Sequence, residues 1–232
     1  MKHCGLFVTG TDTDVGKTAV AVAIVRQLVA AGIRVGVYKP VASGVVAGAV
    51  NDVDQLWEAA DRPLSRERVC PQVFAAPIAP PRAARVAGSI VDERLLCDGF
   101  SPWRAASDVV VVEGAGGLFS PLGDTLLNVD LVADLGLPLV IVDTARLGAI
   151  GRTLATVQAA RARGLSIAAV VLSHTQPLVG SLADPVSDAG IAHDNAGDLA
   201  ARLAPLPVAV LAHGAALIEP QIDWLAIMED RL

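Results

Sequence analysis

Two of the chain's three lysines, Lys17 and Lys39, sit just after successive apolar segments of strand length, in a sequence that otherwise uses arginine, with fifteen. The first lies in LFVTGTDTDVGKT (Leu6 to Thr18), where an apolar run breaks into Gly, Thr and Asp and then into the helical run AVAVAIVRQLVAA. A strand, loop and helix in this order surround an anion with backbone N–H groups, here those of Asp14, Val15 and Gly16, and aim a helix N-terminus at it. Lys17 then holds the outer phosphates of a nucleoside triphosphate and Thr18 a Mg²⁺. Five residues rather than four separate Gly10 from Gly16, and Thr11 occupies the usual glycine position, so the motif reads as a P-loop variant. The alternative is a flexible Gly/Thr turn with an incidental Lys-Thr pair.

Lys39 lies in YKPVASG (Tyr38 to Gly44), directly after the second apolar segment, with Ser43 in the same tight loop facing the first motif. A third signal is VVVVEGAGGLFSPL, in which four valines end in Glu113 and then a glycine-rich turn. A carboxylate behind buried valines needs a partner, and Mg²⁺ favours one or two carboxylates together with phosphate oxygens. Asp54, in VNDVDQLWEAA, offers a second carboxylate in the first turn of a short helix, where capping is the competing explanation. Asp52 competes for either role.

The elements that must position these groups follow from patterning. Apolar segments alternate with helical stretches, as in a parallel α/β sheet with helices on both faces. Strands are expected at Leu6 to Thr9, Val35 to Tyr38, Val109 to Val112, Leu139 to Val142, Ala168 to Leu172 and Val208 to Leu211. Helices are expected at Lys17 to Ala31, Val53 to Ala60, Ile90 to Asp98, Val129 to Leu135, Gly151 to Arg163 and Ala192 to Leu203. Gly32 and Gly164 fall where helix ends expect a left-handed residue. PQVFAAPIAPP (Pro71 to Pro81) carries too many prolines for a helix or central strand and reads as an ordered loop across the sheet rim, or else a linker. GVVAGAV (Gly44 to Val50) reads as a flap.

Composition bounds the rest. The 232 residues suit one large domain, and 53% hydrophobic residues with only 3% aromatic call for a core of Ala, Val, Leu and Ile under helix-covered parallel sheet. A formal charge of −6 argues against a nucleic-acid partner bound through a general basic surface. Cys4, Cys70 and Cys97 form no C-x-x-C pair, which points to a reducing compartment and no zinc ribbon. No apolar run reaches the roughly 18 residues of a membrane span and no leader precedes the first strand, so a cytoplasmic protein without membrane contact is expected. His3, His174, His193 and His213 lack metal-ligand spacing. Trp57, Trp103 and Trp224 read as packing.

With these pieces in view the chain resembles the dethiobiotin synthetases. GTDTDVGKT, YKPVASG and VEGAGGLFSPL match that family's motifs in order and spacing, as does LGLPLVIVDTARLGAIG (Leu135 to Gly151), and the resemblance covers nearly the full length. It implies a three-layer P-loop fold and a homodimer that uses ATP and Mg²⁺. In the implied reaction 7,8-diaminononanoate takes up CO₂ as a carbamate, the carbamate is phosphorylated, and the second amine closes the ring. It further implies that Lys17 and Lys39 contact phosphates and carbamate, and that Thr18, Asp54 and Glu113 surround Mg²⁺. Asp14, Val15, Gly16 and Gly116 would line the nucleotide. Thr13, Ser43 and Gly117 would lie near the diamine, while Leu147, Gly148, Ala149 and Ile150 reach its carboxylate from the partner subunit.

The chain also departs from that pattern. Ser173 and His174 stand where the family reads adenine with an asparagine, and His213 stands near the usual proline of the last strand. Gly151 replaces the asparagine after LGAI, and Pro81 a histidine, leaving base selectivity and carboxylate binding unassigned. From another class, a dimeric P-loop ATPase switch shares the strand, loop and helix order but usually carries an additional early lysine, which GTDTDV lacks.

Overall fold

Apolar runs with no polar alternation, such as Val109 to Val112, leave no face of a strand for solvent and must be covered on both sides. The computed structural model, which describes residues 5–46, 48 and 50–229, meets that demand with helices around a mostly parallel sheet. In chain order the elements are β1 (Gly5–Gly10), α1 (Lys17–Ala30), β2 (Val35–Tyr38), β3 (Val41–Ser43), α2 (Asp52–Ala59) and α3 (Arg66–Val69). Then come β4 (Gln72–Phe74), α4 (Pro80–Val86), α5 (Glu93–Asp98), α6 (Ser101–Ala106), β5 (Val109–Gly117) and α7 (Asn128–Leu135). The chain continues through β6 (Leu139–Thr144), α8 (Ala149–Ala162), β7 (Ile167–Ser173), α9 (Asp188–Leu203), β8 (Val208–Leu211) and α10 (Trp224–Glu229).

Six strands pair in the order β2-β5-β1-β6-β7-β8, every pairing parallel. β1 is central, and the chain leaves it towards β2 on one side before β6, β7 and β8 build outward on the other. Its carboxyl end is therefore the point where strand order reverses, and the crevice there is where open α/β sheets bind ligands. All residues of β1 and β7 are buried.

These six strands are the expected ones: β2 and β8 with the expected bounds, β1, β6 and β7 longer by two residues, and β5 longer by five. The short parallel pair β3 and β4 was not expected, and β4 corrects the reading of Pro71 to Pro81 as loop alone. Its prolines flank the strand or open α4, where Pro80 lies at the first helical positions and needs no N–H partner. Helix starts also moved for identifiable reasons. The Asp92 side chain accepts from Leu95 N, setting the start of α5 at Glu93 rather than near Ile90. Ser187 accepts from Gly190 N and starts α9 at Asp188, before Ala192. Gly32 and Gly164 do close helices with positive φ, 80° and 68°.

The glycine-rich segment after Glu113 is not a turn. β5 runs on to Gly117, while between Val8 and Gly10 of β1 the partner residue advances from Glu113 to Gly117. This bulge lifts the segment 114–116 out of the ladder, with Gly116 at φ 73°. Asn128, fully buried at the start of α7, replaces the lost ladder bonds by donating from Nδ2 to Ala115 O at 2.6 Å and Gly117 O at 2.8 Å.

The core is aliphatic, with Trp103, Tyr38, Phe7 and Phe100 its largest fully buried side chains. Trp57, Trp103 and Trp224 each donate Nε1 to a neighbour, Pro63 O, Arg68 O and Gln27 Oε1, as packing residues do. Cys70 is buried and Cys97 half-buried, both as free thiols; burial pushes the Cys70 thiol up to about 12. Cys4, His3 and residues 47 and 49 of the expected flap lie outside the described residues. Among the described residues no helix is long and apolar enough to cross a membrane.

Because Asn128 donates to the Ala115 and Gly117 carbonyls at the bulge, Asn128→Ala should lower the unfolding free energy by about 2 kcal/mol, the cost of removing buried hydrogen bonds. Urea denaturation checks this.

Candidate active site

The loop between β1 and α1 is shaped by backbone conformations that few residues tolerate. Asp14 has φ 54° and Gly16, the N-cap of α1, has φ 91°. A Cβ on Gly16 would collide with the Ser173 side chain at the end of β7. No side chain caps α1, so its first N–H groups remain for an anion. Lys17, 8% exposed, folds back to donate from Nζ to Asp12 O at 2.9 Å. Burial lowers its pKa, with Lys39 acting in the same direction and Glu113 against both.

Lys39 projects from the end of β2 and Glu113 from β5, its sheet neighbour. The Lys39 Nζ donates to Glu113 Oε1 at 2.7 Å and to Asp52 Oδ2 at 2.6 Å. Thr18, on the first turn of α1, donates from Oγ1 to the same Glu113 Oε1 at 2.8 Å. Burial lowers the Lys39 pKa, but the two carboxylates outweigh it and hold it above the usual lysine value. Removing one member of such a buried pair typically costs about 3–5 kcal/mol.

These groups open onto a cavity of about 360 Å³, also bordered by Thr13, Asp14, Gly16, Ser43, Gly116 and Thr175. Of the residues the sequence nominated, the structure thus brings together Thr13, Asp14, Gly16, Lys17, Thr18, Lys39, Ser43, Glu113 and Gly116. Val15 is buried within the loop. Gly117 lies at the far side of the bulge, its N–H donating to Ser120 Oγ at 2.8 Å.

Asp54 is not among them. Its Oδ2 accepts from Asn51 N in a capping box and its Oδ1 is paired with Arg66 Nε, which faces it away towards a separate groove bordered by Val45, Val73 and Arg66. The Arg66 hydrogen bond lowers the Asp54 pKa. Asp52, at the first position of α2, points into the cavity instead. Two residues apart on a helix are about 200° apart around its axis, so only one of the two can face Lys39.

The donor set suits a hard divalent cation: two carboxylates, a hydroxyl and room for phosphate oxygens. Glu113 Oε2 is buried with no hydrogen-bond partner, so the carboxylate as a whole has capacity left for a further cation. Among the described residues no cluster of three or more His, Cys, Asp or Glu could hold a metal, so a cation here would draw its remaining ligands from phosphate oxygens or water.

Two further cavities adjoin. One, of about 370 Å³, shares Thr13, Asp14, Ser43 and Gly116 with the first and is walled by Pro77, Ile78, Pro80 and Pro121. The other, of about 270 Å³, meets the first at Thr175 and is bordered by Ser173, His174, Gln176, Leu178, Asp188 and the turn Ala145 to Leu147. His174 is half-buried there, and burial lowers its pKa; exposed His213 is not part of it.

Leu147 borders this last cavity and is 80% exposed, and Gly148 is the N-cap of α8, with φ 86° and no side-chain cap. Leu147 to Ile150 therefore lie on a different side from the lysines. Their turn is tied down by residues that sequence reasoning passed over. Asp143, fully buried at the end of β6, pairs with Arg152 at 3.1 Å, and Asn195 Nδ2 donates to Ala145 O and Arg146 O at 3.3 and 3.0 Å. A charged residue ending the run VIV was the available signal for Asp143.

A strand, glycine-capped loop and helix, with two lysines and an acid pair at the switch point of a parallel sheet, define a P-loop nucleotide-binding α/β protein. The receptor FtsY of Elizabethkingia anophelis shares this fold alone, at a TM-score of 0.51 and 16% identity, over 99% of this chain and 65% of that structure; the chain thus spans about two thirds of its length. A family model described as an AAA domain matches residues 4–209. The ATP-dependent dethiobiotin synthetase BioD of Anaeromyxobacter dehalogenans is 47% identical over 173 residues, 75% of this chain and 78% of that protein. That of Rhodopirellula baltica is 43% identical over 182 residues, 72% and 71% of the two chains. The chain belongs to the ATP-dependent dethiobiotin synthetase family within this AAA-domain class.

The two aspartates of α2 should separate cleanly on mutation. Asp54→Ala removes the reciprocal half of the Asn51 capping box, worth about 1 kcal/mol, and should lower Tm by about 2–4 °C while leaving affinity for Mg²⁺ unchanged. Asp52→Asn should weaken that affinity. Thermal melts and metal titrations of both variants check this.

Proposed function

We propose that the 232 residues act as one P-loop α/β domain that makes dethiobiotin from 7,8-diaminononanoate, CO₂ and ATP in biotin biosynthesis, as a cytoplasmic homodimeric ligase dependent on Mg²⁺. The observation that carries this reading is the convergence of Lys17, Lys39, Asp52 and Glu113 on one cavity that opens into an apolar one. Pro77, Ile78 and Pro80 suit an aliphatic chain, and Thr13 and Ser43 at the junction suit its amines. Family membership supports the same assignment.

In this reading the triphosphate lies along the loop, with N–H groups of Asp14 to Thr18 on its oxygens and Lys17 turning from Asp12 O to the terminal phosphate. Thr18, Asp52 and Glu113 would hold Mg²⁺, which when bound would supply charge neutralisation to the outer phosphates; Asp52 would thus take the place expected for Asp54. One amine of the diamine adds to the carbon of CO₂ and loses a proton, giving a carbamate whose oxygen lies beside Lys39. That oxygen attacks the γ-phosphorus in line and ADP leaves. The second amine then attacks the carbonyl carbon of the mixed anhydride, expelling phosphate and closing the ring. Holding that amine against the carbonyl supplies effective molarities on the order of 10⁵–10⁸ M, and the walls of the junction exclude water. The cavity beside Ser173 and His174 takes the nucleobase, and the uncapped turn Leu147 to Ile150 offers N–H donors to the substrate carboxylate across the dimer.

Incubating the purified protein with diaminononanoate, bicarbonate and Mg-ATP should give dethiobiotin, detected by mass, with one ADP per ring. Phosphate release that ignores the diamine would instead support a P-loop ATPase switch. Lys39→Gln should keep ATP binding but lose roughly 10²-fold or more in kcat, because its charge acts at the carbamate. Near-normal turnover would remove Lys39 from the mechanism.

A further inference from the structure

We propose that in the nucleotide-free protein the Lys39 ammonium occupies the place of the metal, and that metal binding displaces it towards the reacting centre. The inference rests on the metal site argued above.

Two of the three proposed ligands hold this one ammonium, and the third, Thr18, shares an oxygen with it. Nζ lies 2.6 Å from Asp52 Oδ2 and 2.7 Å from Glu113 Oε1, and Thr18 Oγ1 lies 2.8 Å from the same Glu113 oxygen. Adjacent ligands of an octahedral Mg²⁺ with arms of about 2.0–2.1 Å are separated by roughly 2.9 Å. The observed Thr18 to Glu113 spacing therefore already fits a shared metal, and the oxygen that would bind it is the one Lys39 holds. A cation bound through these atoms would approach the ammonium within a few ångströms, in a site where Lys39 is 5% and Glu113 1% exposed, and such repulsion is weakly screened. Lys39 has somewhere to go, since its side chain borders the phosphate cavity.

The consequence is an order of events. While Lys39 is paired with two carboxylates, its charge is offset and two of its three hydrogens are engaged. Arrival of the metal with its nucleotide frees that charge for the carbamate. The proton stays on Lys39 throughout; two positive charges replace one against the same acid pair.

The small number of lysines makes the exchange observable. In wild-type protein labelled with ¹⁵N at lysine Nζ, the resonance absent from Lys39→Met should shift or broaden on Mg²⁺ addition without nucleotide, tracking metal occupancy. A Lys39 signal unmoved while Mn²⁺ binding, followed by electron paramagnetic resonance, is saturated would overturn the proposal. Independently, Lys39→Met should bind Mn²⁺ more tightly than wild type by roughly 5- to 100-fold, the span of an ordinary coupling between two occupants of one site. Equal or weaker binding by the folded variant, or none by either protein, would overturn it as well. Glu113→Gln serves as the separate control: unchanged Mn²⁺ affinity there defeats the metal site itself, whatever Lys39 does.

Discussion

A carboxylate placed at the end of four buried valines is the constraint from which the site follows. Glu113 is almost wholly enclosed, and an ionised group in such surroundings is tolerated only with opposite charge and hydrogen bonds around it. Lys39 and Thr18 supply these from β2 and α1, the two elements flanking the strand end. Three segments far apart in sequence are thereby fixed relative to one another at the sheet's carboxyl edge. The phosphate loop is one of them, so its position depends on the acid as much as on its own glycines.

The remaining polar features reinforce that arrangement rather than compete with it. The bulge in β5 moves residues 114–116 away from the ladder immediately after Glu113, opening the space into which the cavity extends. Asn128 compensates the backbone for the interruption. On the other side of β1, the Asp143–Arg152 pair and Asn195 hold the turn before α8. Each neighbour of the central strand thus carries a buried acid with a basic partner, one bordering the Lys17 cavity and the other anchoring a wall.

Much of this was legible from residue order. Short apolar runs located all six strands of the main sheet, because burial on both faces leaves a compositional mark. Lys17 and Thr18 stood out by the strand, loop and helix order around them, Lys39 by the scarcity of lysine, and Glu113 as an acid behind four valines. What could not be read was decided by local geometry that composition does not encode. The choice between Asp52 and Asp54 depends on helix phase and on Arg66 taking one of them out of play. The continuation of β5 through four nominally turn-forming residues depends on pairing with β1 and on the distant Asn128. Strands of three residues, β3 and β4, carry too little pattern to be recognised.

The packing of Gly16 beneath Ser173 bears on how such proteins diversify. The hydroxyl of Ser173 already fills the volume a methyl group would need at position 16, so neither site has freedom to grow without pushing the other aside. The lining of the adjoining cavity has more room to change at the exposed Gln176 and Leu178. In the proposed reading, where that cavity takes the nucleobase, preference for one base over another can change there while the anion cradle stays unchanged.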